Sequence, residues 1–323
     1  MKFNERLFTS PDIESAIDPS PLVITPETLL TEAIAMMGQA KGTSCRLRES
    51  EQSPNAEFQI DKRSSYALIM TESELQGILT ERDVVKLTAQ KLAFDSVVVA
   101  EVMTQPLITL DKNNFPDIFA ALFLFRRYRI RHLPIMDENN NLLGVVSPET
   151  IRQAMRPANL LKLRRVRDVM SQHVIHALTT DSVWHLVQLM TEHQVSCVII
   201  TEADEAENIL CPVGIITERD ILQFQCLQIR LDSLTAGEVM SSPLFLLSPE
   251  DSLLAAHQEM QRRRVRRLVV SWNWGRGLGI ITQTSMLRIF DPMEMYGVIE
   301  TLQSTIQQLE AEKAKLLKLV NQN

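Results

Sequence analysis

Thr80 and Asp83 stand three residues apart in the stretch GILTERDVV, and Thr217 and Asp220 repeat that spacing in GIITERDIL. A hydroxyl and a carboxylate so spaced can cap a helix. The hydroxyl accepts from a backbone N–H of the first turn, and the acid reaches back to the N–H of the capping residue. The word returns twice in altered form, as GVVSPETIR from Gly144 and GIITQTSML from Gly279. Ser147 and Thr282 keep the hydroxyl, and Pro148 suits a first helical position, but Thr150 and Ser285 replace the acid. Capping therefore accounts for the hydroxyl in every copy and leaves the acids of two copies unexplained. Upstream of the other two copies stand cations: Arg126, Arg127, Arg129, Arg131 and His132, then Arg262, Arg263, Arg264, Arg266 and Arg267. The net charge of −7 argues against general nucleic-acid binding, so these clusters need a local reason.

The elements that must position these residues follow from an internal repeat. The four glycines of the words are 67, 70 and 65 residues apart. A second word keeps step with them: EVMTQPL from Glu101, DVMSQHV from Asp168 and EVMSSPL from Glu238, with a degraded copy, AIDPSPL, from Ala16. Between the two words each unit offers a short strand, an amphipathic helix, a β-rich run and a second strand, and a further helix closes it. Alternating helices and strands predict an α/β (α+β) fold in mixed layers. The expected units run over 12–92, 93–158, 159–229 and 230–290. The polar stretch 41–63 is expected as a loop inserted in the first unit, and EADEAEN as a shorter insert in the third.

These words resemble the CBS-domain family. EVMTQPLITL with RIRHLPIMDENNNLLGVVS, GILTERD and GIITERD carry the resemblance, which covers residues 12–290. It implies four CBS units paired into two Bateman modules, with adenine nucleotide bound in clefts between paired sheets. In that family the hydroxyl of the glycine word touches the nucleotide and the acid three residues later holds the ribose hydroxyls. Carried over, these are Thr80 with Asp83 and Thr217 with Asp220, and Arg82 and Arg219 fall inside the same words. One carboxylate can accept from two neighbouring hydroxyls, and a helix N-terminus favours a nearby phosphate. Arg131, His132, Arg266 and Arg267 begin strands facing the cleft and are the candidate phosphate ligands. The odd units thus lend acids and the even units cations. AMP, ADP or ATP is the expected ligand, with no catalytic cofactor. Arg126, Arg127, Arg262 and Arg263 are expected as solvated helix ends.

Other features point away from chemistry. Cys45, Cys197, Cys211 and Cys226 fall at no metal-ligand spacing and read as reduced thiols. His173 and His176 lack a third ligand. WNWGRGLG from Trp272 lies between two strands and predicts a hairpin turn. No nucleophile–base set is visible, so no enzyme is expected. No apolar run reaches the ~20 residues of a bilayer-spanning helix, and the N-terminus lacks a signal-peptide pattern, so a cytoplasmic location is expected, without membrane or nucleic-acid partners. After Phe290 the pattern becomes a heptad seam: Met295, Ile299, Leu302, Ile306, Leu309, Leu316 and Val320. That seam predicts a long coiled-coil exit helix over 291–323 and a homodimer. The order of units resembles the sensory part of larger bacterial signalling proteins, which implies a PAS, diguanylate-cyclase or histidine-kinase output domain downstream. The alternative is a dimerisation scaffold with vestigial clefts.

Overall fold

The computed structural model describes residues 13–39, 64–72, 74–113, 118–155, 161–162, 164–204, 209–273 and 277–290. The expected inserted loop at 41–63 and exit helix at 291–323 lie outside them. Four three-stranded sheets recur along the chain. They are β1 (Val23–Ile24), β2 (Tyr66–Met70) and β3 (Leu75–Thr80); β4 (Leu110–Asp111), β5 (Leu133–Met136) and β6 (Leu142–Val146); β7 (His176–Leu178), β8 (Cys197–Asp204) and β9 (Ile209–Thr217); and β10 (Leu246–Leu247), β11 (Arg267–Trp272) and β12 (Gly277–Thr282). In each sheet the first strand is parallel to the second, and the second is antiparallel to the third. A parallel pair needs a crossover connection, and a leading helix supplies it: α1 (Leu30–Gly38), α3 (Ile118–Tyr128), α5 (Val183–Glu192) and α7 (Leu253–Arg262). A closing helix follows each third strand: α2 (Glu81–Ala89), α4 (Pro148–Met155), α6 (Glu218–Cys226) and the short α8 (Gln283–Met286).

Each leading helix forms because its apolar residues recur on one stripe. Leu30, Ala33, Ile34 and Met37 are buried on α1, and Val183, Leu186, Val187 and Met190 on α5. Burying each large side chain is worth roughly 2 kcal/mol, enough to hold helices of 9 to 11 residues that would not persist alone. Ser182 and Ser252 cap α5 and α7 through their hydroxyls. The polar insert of the third unit extends the β8–β9 hairpin, whose register continues to Asp204 opposite Ile209.

Sequence order and packing partner differ at the EVM words. Val99 packs into the core of the first unit with Leu30 and Ile34, and Ala236 into that of the third. The amide of Val166 donates to Asp251 O at 2.9 Å, and that of Leu253 to Arg164 O at 3.0 Å, so the DVM segment sits on the fourth unit. Asp18 is bridged to Val145 of the second. Sister units therefore exchange these segments. The exchange explains the glycine of the repeated word. A Cβ on Gly77 would stand 2.4 Å from Met103 Sδ and 2.8 Å from its Cγ, and one on Gly214 would stand 2.2 and 2.6 Å from the same atoms of Met240.

First and second units meet sheet to sheet through Tyr66, Leu68, Ile78 and Val145. Third and fourth are joined by bridges Ile215–Ser241 and Ser171–Ile280. The first unit packs α1 and α2 on α6 of the third, where Leu222 enters the first core and Val85 the third. The second and fourth share one core around Ile118, Leu133, Ile151, Leu253 and Ile281. No helix of the described residues is long and apolar enough to cross a membrane.

Candidate functional site

The closing helices α2 and α6 start alike because their words are alike. Thr80 is extended (φ −123°, ψ 164°), and its hydroxyl accepts from the Asp83 amide. Asp83 Oδ2 in turn accepts from the Thr80 amide at 2.9 Å and from its hydroxyl at 2.6 Å. Asp220 Oδ2 takes the same two bonds from Thr217 at 2.7 and 2.8 Å. The capping box expected from the spacing is present, and it occupies one carboxylate oxygen of each aspartate. The other oxygen of Asp83 lies 3.4 Å from the Thr104 hydroxyl.

An open cavity of about 1240 Å³ lies where the units converge. Thr80, Arg82, Asp83, Arg131, His132, Arg266 and Arg267 all line it, so seven of the expected site residues share one space. Thr217, Arg219 and Asp220 are not among the described residues on its wall. Eight lysine or arginine side chains line the cavity against four carboxylates, Glu81, Asp83, Glu149 and Glu218. A local excess of positive charge is thus concentrated in a chain whose net charge is −7.

Two buried glutamates organise those cations. Glu218 is 2% exposed; its Oε1 accepts from Arg82 Nε at 3.2 Å and its Oε2 from Arg131 Nη1 at 3.0 Å. Glu81 is 6% exposed; it accepts from Arg219 Nε at 3.1 Å and pairs with Arg266 Nη1 at 3.7 Å. The two clusters are reciprocal. Glu81 and Arg82 open α2, Glu218 and Arg219 open α6, and each helix lends its acid to the other's arginine. Burial alone would raise the pKa of the Glu218 carboxyl, but Arg131, Arg82 and Arg267 outweigh it and hold the carboxyl below its ordinary range. Burial lowers the proton affinity of Arg131 and Arg266, opposed by Glu218 and Glu81 respectively.

His132 and Arg267 begin equivalent strands and meet equivalent neighbours. His132 Nε2 lies 2.9 Å from the Ser65 hydroxyl, and its ring stacks on Tyr66 with centroids 4.4 Å apart. Burial, with Arg266, Arg131 and Arg82 nearby, pushes His132 down to about 3, so it is neutral at pH 7. Arg267 Nη1 donates to the Ser196 carbonyl. Burial raises the Tyr66 phenol and the Cys197 thiol above their ordinary ranges.

Arg262 and Arg263 end α7 and both reach Glu259 at 2.9 Å. No group of three or more His, Cys, Asp or Glu that could hold a metal occurs among the described residues. Glu81 and Glu218 are candidate site residues beyond those expected from the sequence. The odd words read TER where the even ones read SPE and TQT, so two acidic positions, not one, separate them, although that difference does not by itself show that Glu81 and Glu218 are buried.

The family model described as CBS domain matches residues 99–157, 166–226 and 236–291; the first sheet lies before these segments. The uncharacterized protein MK0525 of Methanopyrus kandleri is 36% identical over 90 residues, 28% of this chain and 45% of that protein. An uncharacterized 33.4 kDa protein in the ribosomal RNA operon of Thermofilum pendens is 28% identical over 172 residues, 47% of this chain and 53% of that one. The chain thus spans about half the length of these relatives. Protein MJ1225 of Methanocaldococcus jannaschii, a solved structure, matches with a TM-score of 0.67 at 19% identity, over 86% of this chain and 99% of that one. At that identity the likeness is one of fold.

Proposed function

The chain belongs to the CBS domain family, and on that premise we propose that it is a regulatory module binding an adenine nucleotide (AMP, ADP or ATP) in its central cavity. The observation that carries this is the cavity itself. It brings Thr80 and Asp83 together with Arg131, His132, Arg266 and Arg267 in one electropositive space. Asp83 Oδ1, which accepts a 3.4 Å bond from the Thr104 hydroxyl, also accepts from ribose hydroxyls, and the guanidiniums of Arg131 and Arg266 take phosphate oxygens. Neutral His132 donates or accepts a single hydrogen bond there. Thr217 with Asp220, which lie off that cavity's wall, are assigned a separate ribose contact in the third unit. The first sheet is a fourth CBS unit, and the four units form two Bateman pairs. The module regulates and does not turn over its ligand. Ligand binding shifts the packing of the pairs to the extent that the two packings bind it unequally. A homodimer through the heptad seam of 291–323 then passes the change to a PAS, diguanylate-cyclase or histidine-kinase output domain; the seam in the sequence supports that step.

The test is a melting-temperature screen with AMP, ADP, ATP and S-adenosylmethionine. A ligand that prefers the folded state raises stability by mass action, about 2.7 kcal/mol at a hundredfold excess over Kd. A rise that Asp83→Ala plus Asp220→Ala abolishes is expected. No rise with any of the four overturns the proposal. A second function, a purely structural scaffold, is favoured by one observation: the caps and the glutamates already satisfy many of the site's polar groups. Unchanged melting in the screen is its signature.

A further inference from the structure

The cavity's arginines already hold anions of the protein's own. Glu218 sits between Arg82 and Arg131, and Glu81 between Arg219 and Arg266. Each carboxylate meets two guanidiniums, as a phosphate bound there would. The pairing is incomplete in charge, since every glutamate faces two arginines and Arg267 adds a further cation beside Glu218. Arg82, Arg131 and Arg266 keep 32, 33 and 31% of their side-chain surface exposed, and all three line the cavity. Each of these guanidiniums is therefore committed to a glutamate while about a third of its side chain stays open to solvent.

We propose that Glu81 and Glu218 are built-in anion surrogates that a bound polyphosphate must displace, so that they set the cavity's preference for di- and triphosphates over monophosphates. This rests on the central cavity being the ligand site. The preference follows from the reciprocity of the clusters. Glu81 adjoins Arg82, and Glu218 adjoins Arg219, at the first turns of α2 and α6. Pulling Arg131 away from Glu218 loosens the contact of Glu218 with Arg82, and Arg82 is anchored beside Glu81. The two carboxylates yield together, and the ligand must replace both charges. A phosphate chain can offer separate charged groups to the two clusters, whereas a single phosphate, at roughly −1.5 to −2, nearly matches the two carboxylates in charge but offers it at one point. Displacement also uncouples the first unit from the third, because Arg82–Glu218 and Arg219–Glu81 cross that interface. Ligand occupancy is thereby linked to the packing of one pair of units on the other.

The experiment titrates inorganic tripolyphosphate and orthophosphate calorimetrically into the full chain, as wild type and as Glu81→Gln, Glu218→Gln and the double variant. Wild type is expected to prefer tripolyphosphate by at least about tenfold, about 1.4 kcal/mol. The variants are expected to bind both anions more tightly, orthophosphate gaining most. Variants that bind no more tightly than wild type, or a preference that does not narrow, overturn the proposal. Removing a glutamate leaves buried arginines unpaired, so melting is measured alongside. Tripolyphosphate is expected to raise the melting temperature of each variant more than that of wild type, by standing in for the lost carboxylate; an equal or smaller rise overturns the proposal. The nucleotide assignment fails separately. If the anions follow the expected order but ATP binds no tighter than tripolyphosphate, the surrogates stand and the adenosine site falls. If no anion binds wild type or any variant, both fall.

Discussion

The closing helices of the odd and even units share a backbone and differ in charge. α2 and α6 begin with Glu, Arg and Asp, whereas α4 begins with Pro148, Glu149 and Thr150, and α8 with Gln283, Thr284 and Ser285. All four are capped from the third position. In the even units Ser147 N donates to Thr150 Oγ1 at 2.9 Å and Thr282 N to Ser285 Oγ at 2.9 Å, the role Asp83 and Asp220 play in the odd ones. A hydroxyl thus suffices for the fold, and the carboxylates are surplus to it. The interfaces differ in the same way. First and third units are tied by two reciprocal Arg–Glu clusters, whereas second and fourth share an apolar core in which Arg152 Nη1 lies 3.0 Å from His257 Nδ1. Charge at the odd interface goes beyond what holding units together requires, which is why function is sought there.

The comparison can be broken most severely at Glu218. Glu218→Ala strands Arg82 and Arg131 and should destabilise the chain by about 3–5 kcal/mol in denaturant unfolding. Gln283→Ala, at the equivalent position of α8, should cost well under 1 kcal/mol. Similar losses at the two positions would erase the contrast.

Acid separates the central cavity from the core shared by the second and fourth units through one histidine in each, His132 and His257. Burial, with Arg152 nearby, pushes His257 down to about 4, and His132 is pushed to about 3. Both folded values lie below the unfolded value of about 6.5. Stability present above that value is therefore lost as pH falls through it, until about 3 for His132 and about 4 for His257. Each histidine contributes at most about 1.4 kcal/mol per pH unit within its window. His132→Asn should flatten the profile down to the lower limit and His257→Asn only down to the higher one; identical profiles would show that neither histidine carries the effect.

Glycine substitution separates the fourth unit from the other three. Gly77→Ala and Gly214→Ala drive a Cβ into Met103 and Met240 and should each cost about 1–3 kcal/mol. Gly144→Ala should cost at least as much, since its φ is +151° and its Cβ would stand 2.3 Å from Asp18 O, whereas Gly279→Ala should cost less, its nearest neighbours, Met170 Sδ and Ser171 O, being 3.2 Å away. Adding Met103→Ala to Gly77→Ala should return part of the loss, and no return would place the strain elsewhere. The smallest effect is expected from Asp83→Thr plus Asp220→Thr, which copies the second unit's cap. Stability near neutral pH should change by about 1 kcal/mol or less, while nucleotide-induced stabilisation disappears. A large loss of stability would make the aspartates structural after all.

The repeat, the strand order within a unit and the caps were all legible, because each is local: a turn word, a period or a three-residue spacing dictates it. The exchange of the EVM segments was not. Val99 and Ala236 are apolar residues that either sister unit could bury, and only the packed chain decides. Seven of the ten expected site residues line one cavity, but the expectation was a cleft within each pair of units; that Asp83 shares its space with Arg266 and Arg267 of the fourth unit, and not with Asp220, was not legible. Nor was the neutralisation of these cations. An acid at a first helical position ordinarily faces solvent and serves the helix dipole, and nothing local distinguishes Glu81 or Glu218 as buried across an interface formed by residues more than a hundred positions away.

The most direct test is calorimetric titration of ATP into the full chain, compared with Arg131→Ala plus Arg266→Ala, which leaves each glutamate one arginine partner. Saturable binding by wild type and at least about a tenfold loss in the variant, about 1.4 kcal/mol, is the predicted result; equal affinity in the two proteins, or no heat in either, would contradict the assignment of the central cavity.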